Sequence, residues 1–485
     1  MGVLSGLKPK EVFESFEYLS SVPHGSRNNA QISELLCAFA REHGLRYIQD
    51  KALNVIIFKD GSEGYENSAP VILQGHMDMV CVKAADCPKD LKTEPVDIVT
   101  DGEWIWADGT SLGADNCIGC AMALALLASD LPHPPLECVF TTDEEIGMDG
   151  AKAIDLSCLK GRKYINLDCG PEGVYIISCA GGETVDGRVP ARMTRMKEGE
   201  AACHLQIAGL IGGHSGGMIH LGRGNANQLM GRLLCAIKQR IPEMRLFDVA
   251  GGVVINAITD KCDAVVVIPE SRVRTLSNVV KETDEIYKNV FQTSDPGVYA
   301  RYEKLKETEG MRGMSAKDTE KVIRMLLAIP QGVQRMSADI EGLTETSLNM
   351  GILEMEDQGL RFSISIRSSV NSEKKFVEQI IRSAVLNAGG SVEISGEFAA
   401  WPYVKESPLR DLVAEVYKEQ TGKEAVIKAT HGGLESGIFI DKIPGTDAVA
   451  MGPIASGAHS PEERVNVASV GRTYALLCEV LKRLK

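Results

Sequence analysis

Over the first third of the chain, short runs in which nearly every position is apolar alternate with longer stretches whose apolar residues return every three or four positions. The longer stretches predict amphipathic helices at residues 10–20 and 29–43, because about 3.6 residues per turn gather such positions onto one face. The short runs predict strands at 71–74, 136–141 and 164–167. Strands that are apolar on both faces belong inside a mostly parallel sheet covered by helices.

Between about residues 187 and 400 the pattern changes. Alternating strands at 203–208, 264–268 and 361–366 are interleaved with amphipathic helices at 226–240, 270–291, 316–328 and 372–387. Two strand-helix-strand sets of this kind predict a separate α+β insert, read as a doubled ferredoxin-like unit. After Trp401 the first pattern resumes, with a helix at 408–420, a strand at 424–428 and a closing helix at 468–485. The expected fold is therefore α/β: a discontinuous domain from 1–187 and 401–485 with a mostly parallel central sheet flanked by helices, and an inserted domain at 188–400.

Composition narrows the partners. A length of 485 residues exceeds what one core usually serves, and 44% hydrophobic with 24% charged residues is ordinary for a globular protein. Lys and Arg number 52 against 66 Asp and Glu, and the resulting charge of −14 argues against a nucleic-acid or anionic-membrane partner. Residues 1–10 lack the apolar run of a secretory signal, the apolar run near 121–128 is too short to span a bilayer, and Gly6 stands where myristoylation wants Ser or Thr. Thirteen scattered cysteines read as reduced thiols, so a cytoplasmic protein is expected. Cys117 and Cys120 form a Cys-x-x-Cys with no second pair near by, which favours packing over a redox or zinc-ribbon role.

The candidate chemistry gathers at strand ends, where open α/β sheets build their sites. His76 follows an apolar strand in Leu73-Gln74-Gly75-His76-Met77-Asp78, and Asp78 has the right type to accept the second imidazole N–H and orient the ring on a metal. Asp115, in Gly113-Ala114-Asp115-Asn116, enters an apolar helix and taken alone reads first as a cap. Thr142-Asp143-Glu144-Glu145-Ile146-Gly147 places three acidic residues after another strand, either as a solvated loop or as carboxylates that a cation compensates. Asp168 closes the run Tyr164-Ile165-Asn166-Leu167. That each of these has its bland role at once is less economical than one shared metal centre. A mixed set of histidine and carboxylates suits zinc, with manganese or cobalt compatible, and two ions ~3.5–4 Å apart require one bridging carboxylate.

These residues resemble the dinuclear zinc aminopeptidase, dipeptidase and deacylase family. The resemblance spans nearly the whole chain: Gly75-His76-Met77-Asp78, Gly113-Ala114-Asp115-Asn116, Asp143-Glu144-Glu145-Ile146-Gly147, Asn166-Leu167-Asp168 and Gly457-Ala458-His459-Ser460-Pro461, in family order. It implies a zinc-exopeptidase-like catalytic domain with two divalent ions. Asp115 would bridge them, His76 and Asp168 would complete one site, Glu145 and His459 the other, and Glu144 would be the general base with Asp78 behind His76. Many members carry two acidic residues where this chain has Asp115-Asn116. Bridging then falls on Asp115 alone, and the family's cis peptide bond after that residue is the feature the departure bears on.

The insert resembles the family's lid. His214 in Gly212-Gly213-His214-Ser215-Gly216-Gly217 would stabilise the oxyanion, although a glycine-rich turn with an incidental histidine reads the same way. Asn256 and Arg367 match the substrate-binding positions, and a planar guanidinium suits a free peptide carboxylate. His431-Gly432-Gly433-Leu434-Glu435 resembles a pocket-lining segment, with Gly433 offering main-chain groups and His431 and Glu435 either touching substrate or holding structure.

The whole pattern is similar to the family's aminoacyl-histidine dipeptidase branch, which implies hydrolysis of Xaa-His dipeptides, β-alanyl-histidine among them, by a water activated between two metals. Rival readings are an aminotripeptidase or N-acyl amino-acid deacylase, and a non-catalytic metal-binding protein on the same fold. Monomer and homodimer are both compatible with the sequence.

Overall fold

The computed structural model describes residues 2–485, which fall into two compact units. The first comprises residues 2–179 with Trp401–Thr430 and Leu434–Lys485, and the second Ala180–Ala400 with His431–Gly433. The division lies at 179/180, ahead of the expected 187/188, because Gly181–Pro190 is one continuous strand paired along its length with Gly359–Ser368 of the second unit.

An eight-stranded sheet centres the first unit, in the order Arg46–Gln49, Val55–Lys59, Leu136–Thr141, Val71–His76, Lys163–Asn166, Asp447–Ala450, Val174–Cys179, Val426–Thr430. Its middle four strands run parallel. Leu136–Thr141 and Val71–His76 are buried at every position, as apolar runs with both faces covered require. The helix Ala114–Ala128, buried at nearly all its positions, packs on the strand Val71–His76, and Lys10–Leu19 packs on that helix in turn. Cys117 and Cys120 are free, buried packing residues of this layer. Burial pushes the Cys117 thiol up to about 12, so a thiolate role is foreign to it. The strand expected at 424–428 is shifted to Val426–Thr430, where it pairs in parallel with Val174–Cys179. Among the described residues no helix is long and apolar enough to cross a membrane.

The second unit is built on a nine-stranded antiparallel sheet with its own core. Glu200–Ala208, helix Ala226–Arg240, Arg245–Gly251, Cys262–Pro269, helix Val273–Val290 and Tyr299–Lys304 form a strand-helix-strand-strand-helix-strand set in which the fourth strand lies beside the first. The sheet continues through Thr344–Glu356, Gly359–Ser368, Gly181–Pro190 and Ser391–Phe398, which with helices Ala316–Ala328 and Asn371–Asn387 repeat that arrangement. Each set has the ferredoxin-like strand order. The second set is interrupted, since its first strand precedes the whole of the other set. The helix expected at 270–291 opens with a 3-10 turn, Glu270–Arg272, because Pro269 stands in front of it.

Candidate active site

Parallel pairing brings three strand ends to one edge of the first unit's sheet. His76 is in register with Thr141 and Gln74 with Asn166, so the segments that follow those strands emerge side by side. Helix Ala114–Ala128 begins over the same edge. There Gly75 permits close approach: a Cβ on it would sit 2.3 Å from Asn116 Oδ1. Asn116 Nδ2 donates to the carbonyl of Leu167 at 2.7 Å, and the Asp115–Asn116 peptide is cis. Asp115 does not cap this helix, whose N-cap is Gly113, and its own dihedrals are non-helical.

Asp115 lies between two histidines. Its Oδ1 is 3.2 Å from His76 Nε2, and its Oδ2 is 3.5 Å from His459 Nε2. Asp168 Oδ1 stands 3.7 Å from His76 Nε2, and Glu145 Oε1 stands 2.9 Å from His459 Nε2. Two triads result, His76 with Asp115 and Asp168, and His459 with Asp115 and Glu145, each offering ligand atoms within 4.8 Å of one another. Glu144 joins His76 and Glu145 in a third such group.

Two observations test whether these residues fit divalent cations. His76 Nδ1 donates to the carbonyl oxygen of Asp78 at 2.9 Å, which aims Nε2 at Asp115 and Asp168, where a cation would take the place of the Nε2 proton. The carboxylates also crowd beyond what two imidazoles neutralise. Burial raises Glu145 to about 7, and burial with the neighbouring Asp115 charge raises Asp168 well above its ordinary range. Burial opposes ionisation of Asp115 too, but hydrogen bonds from His459 and His76 hold that carboxyl well below its ordinary value. A buried set of this kind is stable in fully ionised form only with added positive charge. The residues fit a pair of cations.

Asp78 stands beside His76 and holds the neighbouring turn as well. Its carboxylate is 3.6 Å from His76 Nδ1 and accepts from Ser26 Oγ at 2.8 Å, from Glu144 N–H at 3.1 Å and from Glu145 N–H at 3.4 Å. The nearest partner of that ring nitrogen is the main-chain carbonyl of Asp78, at 2.9 Å. Asp78 thus anchors the turn that carries Glu144. Asp143, at φ 54°, is fixed on the other side of the turn by Arg27 N–H at 2.6 Å and Asn29 Nδ2 at 2.7 Å. Burial raises the Glu144 carboxyl, which brings a carboxylate toward the range a general base needs.

Of the two roles expected of Glu435, its contacts fit holding structure. It is 1% exposed, and its Oε2 accepts from Gln74 Nε2 at 2.5 Å and from Thr141 Oγ1 at 2.7 Å. It belongs to a buried network in which Gln74 Oε1 accepts from Tyr164 and Asn166, both at 2.7 Å, and Asn166 Oδ1 holds the N–H of Asp168 at 3.1 Å. That is a supporting position for the sheet edge, not a pocket wall.

In the second unit, His214 Nδ1 accepts the N–H groups of Gly216 and Gly217 at 3.2 and 3.0 Å, so the ring proton sits on Nε2. A Cβ on Gly216 would come within 3.3 Å of the Arg367 guanidinium, and glycine there lets the turn lie against it. Arg367 Nε is buried without a hydrogen-bond partner, a cation suited to an anionic ligand. His431 Nε2 is 2.7 Å from Ser347 Oγ, and burial beside Arg367 lowers the imidazole to about 4. Asn256 is exposed, and its carbonyl accepts the N–H of Ser215 at 2.8 Å. Gly433 is half-buried in the turn after Val426–Thr430.

Reading the sequence missed Asn116, Ser26 and Glu463, which hold the segments bearing the candidate ligands. Asn116 alone carried a signal, as the residue in the second acidic position.

Comparison with known proteins adds an independent line. Residues 72–483 match the family model described as peptidase family M20/M25/M40. The chain is 36% identical over 485 residues to the cytosol non-specific dipeptidase of Escherichia coli K12, covering all of this chain and 99% of that one. It is 33% identical to an aminoacylhistidine dipeptidase of Vibrio alginolyticus, whose crystal structure superposes with a TM-score of 0.94 over 100% of this chain and 98% of the other. The fold is shared with aminopeptidase PepT of Bacillus cereus, at 14% identity and a TM-score of 0.61 over 99% of both chains.

Proposed function

The chain belongs to peptidase family M20/M25/M40 and is a peptide-bond hydrolase, and from that premise we propose that it is a cytoplasmic metallo-dipeptidase whose substrates include Xaa-His dipeptides. The observation that carries this reading is Asp115 set between His76 and His459 with Glu144 beside them. His76, Asp115 and Asp168 would hold one divalent cation, and His459, Asp115 and Glu145 the other. Zinc is the first choice for such donors and manganese or cobalt the next. Bound there, the ions supply Lewis acidity, which acidifies water and polarises the scissile carbonyl.

Glu144, held by the Asp78 carboxylate through its main-chain N–H, takes a proton from the attacking water and returns it to the leaving amine. The Nε2–H of His214 is free to donate to the oxygen on which negative charge develops. Arg367 answers the substrate's free carboxylate, with Asn256 and the main chain of Gly433 as further substrate contacts. Dipeptide length is supported by the names of both full-length relatives, and action on Xaa-His dipeptides by that of the Vibrio alginolyticus one. The oligomeric state is open to both monomer and homodimer.

The test is a panel of β-alanyl-histidine, glycyl-histidine, a dipeptide without histidine, a tripeptide and an N-acetyl amino acid, assayed with zinc, manganese and cobalt. Dipeptides should be cleaved fastest. A tripeptide or N-acetyl substrate turned over faster than every dipeptide would overturn the reading in favour of an aminotripeptidase or a deacylase.

A further inference from the structure

Glu463 is 3% exposed and lies on the loop that carries His459. Its carboxylate reaches back to the turn in front of Asp115. Oε2 accepts the N–H groups of Leu112 and Gly113 at 2.8 and 3.0 Å, and Oε1 accepts that of Asp115 at 3.1 Å. Three N–H donors on one buried carboxylate make a strong, directional grip, since each bond is charge-assisted.

The two halves of the site are tied together differently. Asp115 is held toward Asp168 by its neighbour Asn116, which bonds to Leu167 O, and toward His76 by the close packing at Gly75. The His459 loop is braced within itself, by Ser460 Oγ on Gly457 O at 2.7 Å and by Glu463 N–H on Ser460 O at 3.2 Å. Its strand Arg464–Asn466 pairs with Trp104–Ala107. Those contacts shape the loop, and the Glu463 carboxylate adds its direct tie to the main chain at 112–115. His459 itself has φ 62° and a side chain 52% exposed, so little packing steadies it.

We propose that Glu463 is a positioning residue, a clasp that sets the separation of His459 from Asp115 and thereby forms the Asp115–Glu145–His459 cation site while the His76 site stands without it. The inference rests on the two-cation reading above.

Metal-free wild type, E463Q and E463D are titrated with zinc by calorimetry, and their thermal unfolding without metal is followed alongside. Glutamine keeps the volume but turns an amide NH2 toward one of the N–H donors, while aspartate keeps the charge and falls short of all three. Wild type should bind two ions. E463Q should bind one as wild type does and the second roughly 10- to 100-fold more weakly, with metal-free unfolding close to wild type. Its kcat should fall with KM within about threefold of wild type, as expected when the reacting geometry and not substrate affinity is disturbed. E463D, which gives up all three bonds, should weaken the second ion at least as much as E463Q does, and it decides the matter by the same criterion should E463Q fail to fold. Two ions in wild type with both weakened alike in the variants, or with neither weakened, overturn the clasp alone. Fewer than two ions in wild type overturn the two-cation reading and the clasp with it.

Discussion

Asp78 accepts the main-chain N–H of Glu144 at 3.1 Å and leaves the imidazole of His76 to a carbonyl oxygen. The carboxylate therefore holds the turn bearing Glu144 as well as standing 3.6 Å from the His76 ring. D78N should lower kcat by roughly 10- to 100-fold while zinc content stays at two ions per chain. Metal analysis beside steady-state kinetics checks this, and loss of metal at unchanged kcat per bound pair would return Asp78 to the service of His76.

Glu144 has a different signature. E144Q keeps the volume and the backbone contacts but cannot take a proton. Turnover should drop by about 10²- to 10⁴-fold with metal content near that of wild type. Turnover retained within a few-fold would remove Glu144 from the role of base.

Arg367 offers a buried guanidinium whose Nε lacks a partner. R367A should raise KM for free dipeptides roughly 10- to 100-fold and leave KM for C-terminally amidated dipeptides nearly unchanged, because only the former bring a carboxylate to pair with it. Equal effects on both substrates would show that the side chain does not meet the carboxylate.

Glu435 gives a pH dependence. Burial, with the charge of Glu144 adding to it, raises this carboxyl from 4.5 to about 8. The folded chain then holds a proton that the unfolded chain releases near 4.5, so the stability from this group is complete below that pH and is lost as pH rises through about 8. E435Q is neutral throughout. In metal-free protein, wild type should therefore lose stability relative to E435Q between about pH 4.5 and about pH 8 in urea unfolding. E435A should cost ~1–3 kcal/mol at all pH values, since Gln74 and Thr141 lose their acceptor. A constant wild-type-to-E435Q difference across that range would contradict the protonated carboxyl.

Much of this architecture is legible in the chain. Helices Ala226–Arg240 and Ala316–Ala328 and strand Leu136–Thr141 fall on the bounds that periodicity predicts, because each is bordered by a sharp change of polarity. The candidate ligands stand out for a related reason: His76 and the Asp143–Glu145 run follow apolar strands, where a polar residue needs an explanation. Glu463 has no such flank. Its partners belong to a turn far earlier in the chain and are main-chain N–H groups, which every residue type shares, so no local pattern reports the contact. The same holds for Glu435, whose burial follows from Gln74 and Thr141 on neighbouring strands, and for Asp78, whose choice between imidazole and turn is settled by geometry.

The order of pieces along the chain has a consequence for synthesis. Asp447–Ala450 fills a place inside the first unit's sheet, and His459 and Glu463 follow it, after nearly the whole of the second unit has been made. Until then the nascent chain holds an unfilled gap in its central sheet and only one of the two histidines, while the interrupted repeat of the second unit waits for partners to reach Gly181–Pro190. Such late, long-range closure is slow to fold. It also means that a chain broken off within the second unit lacks His459, one of the two histidines that flank Asp115.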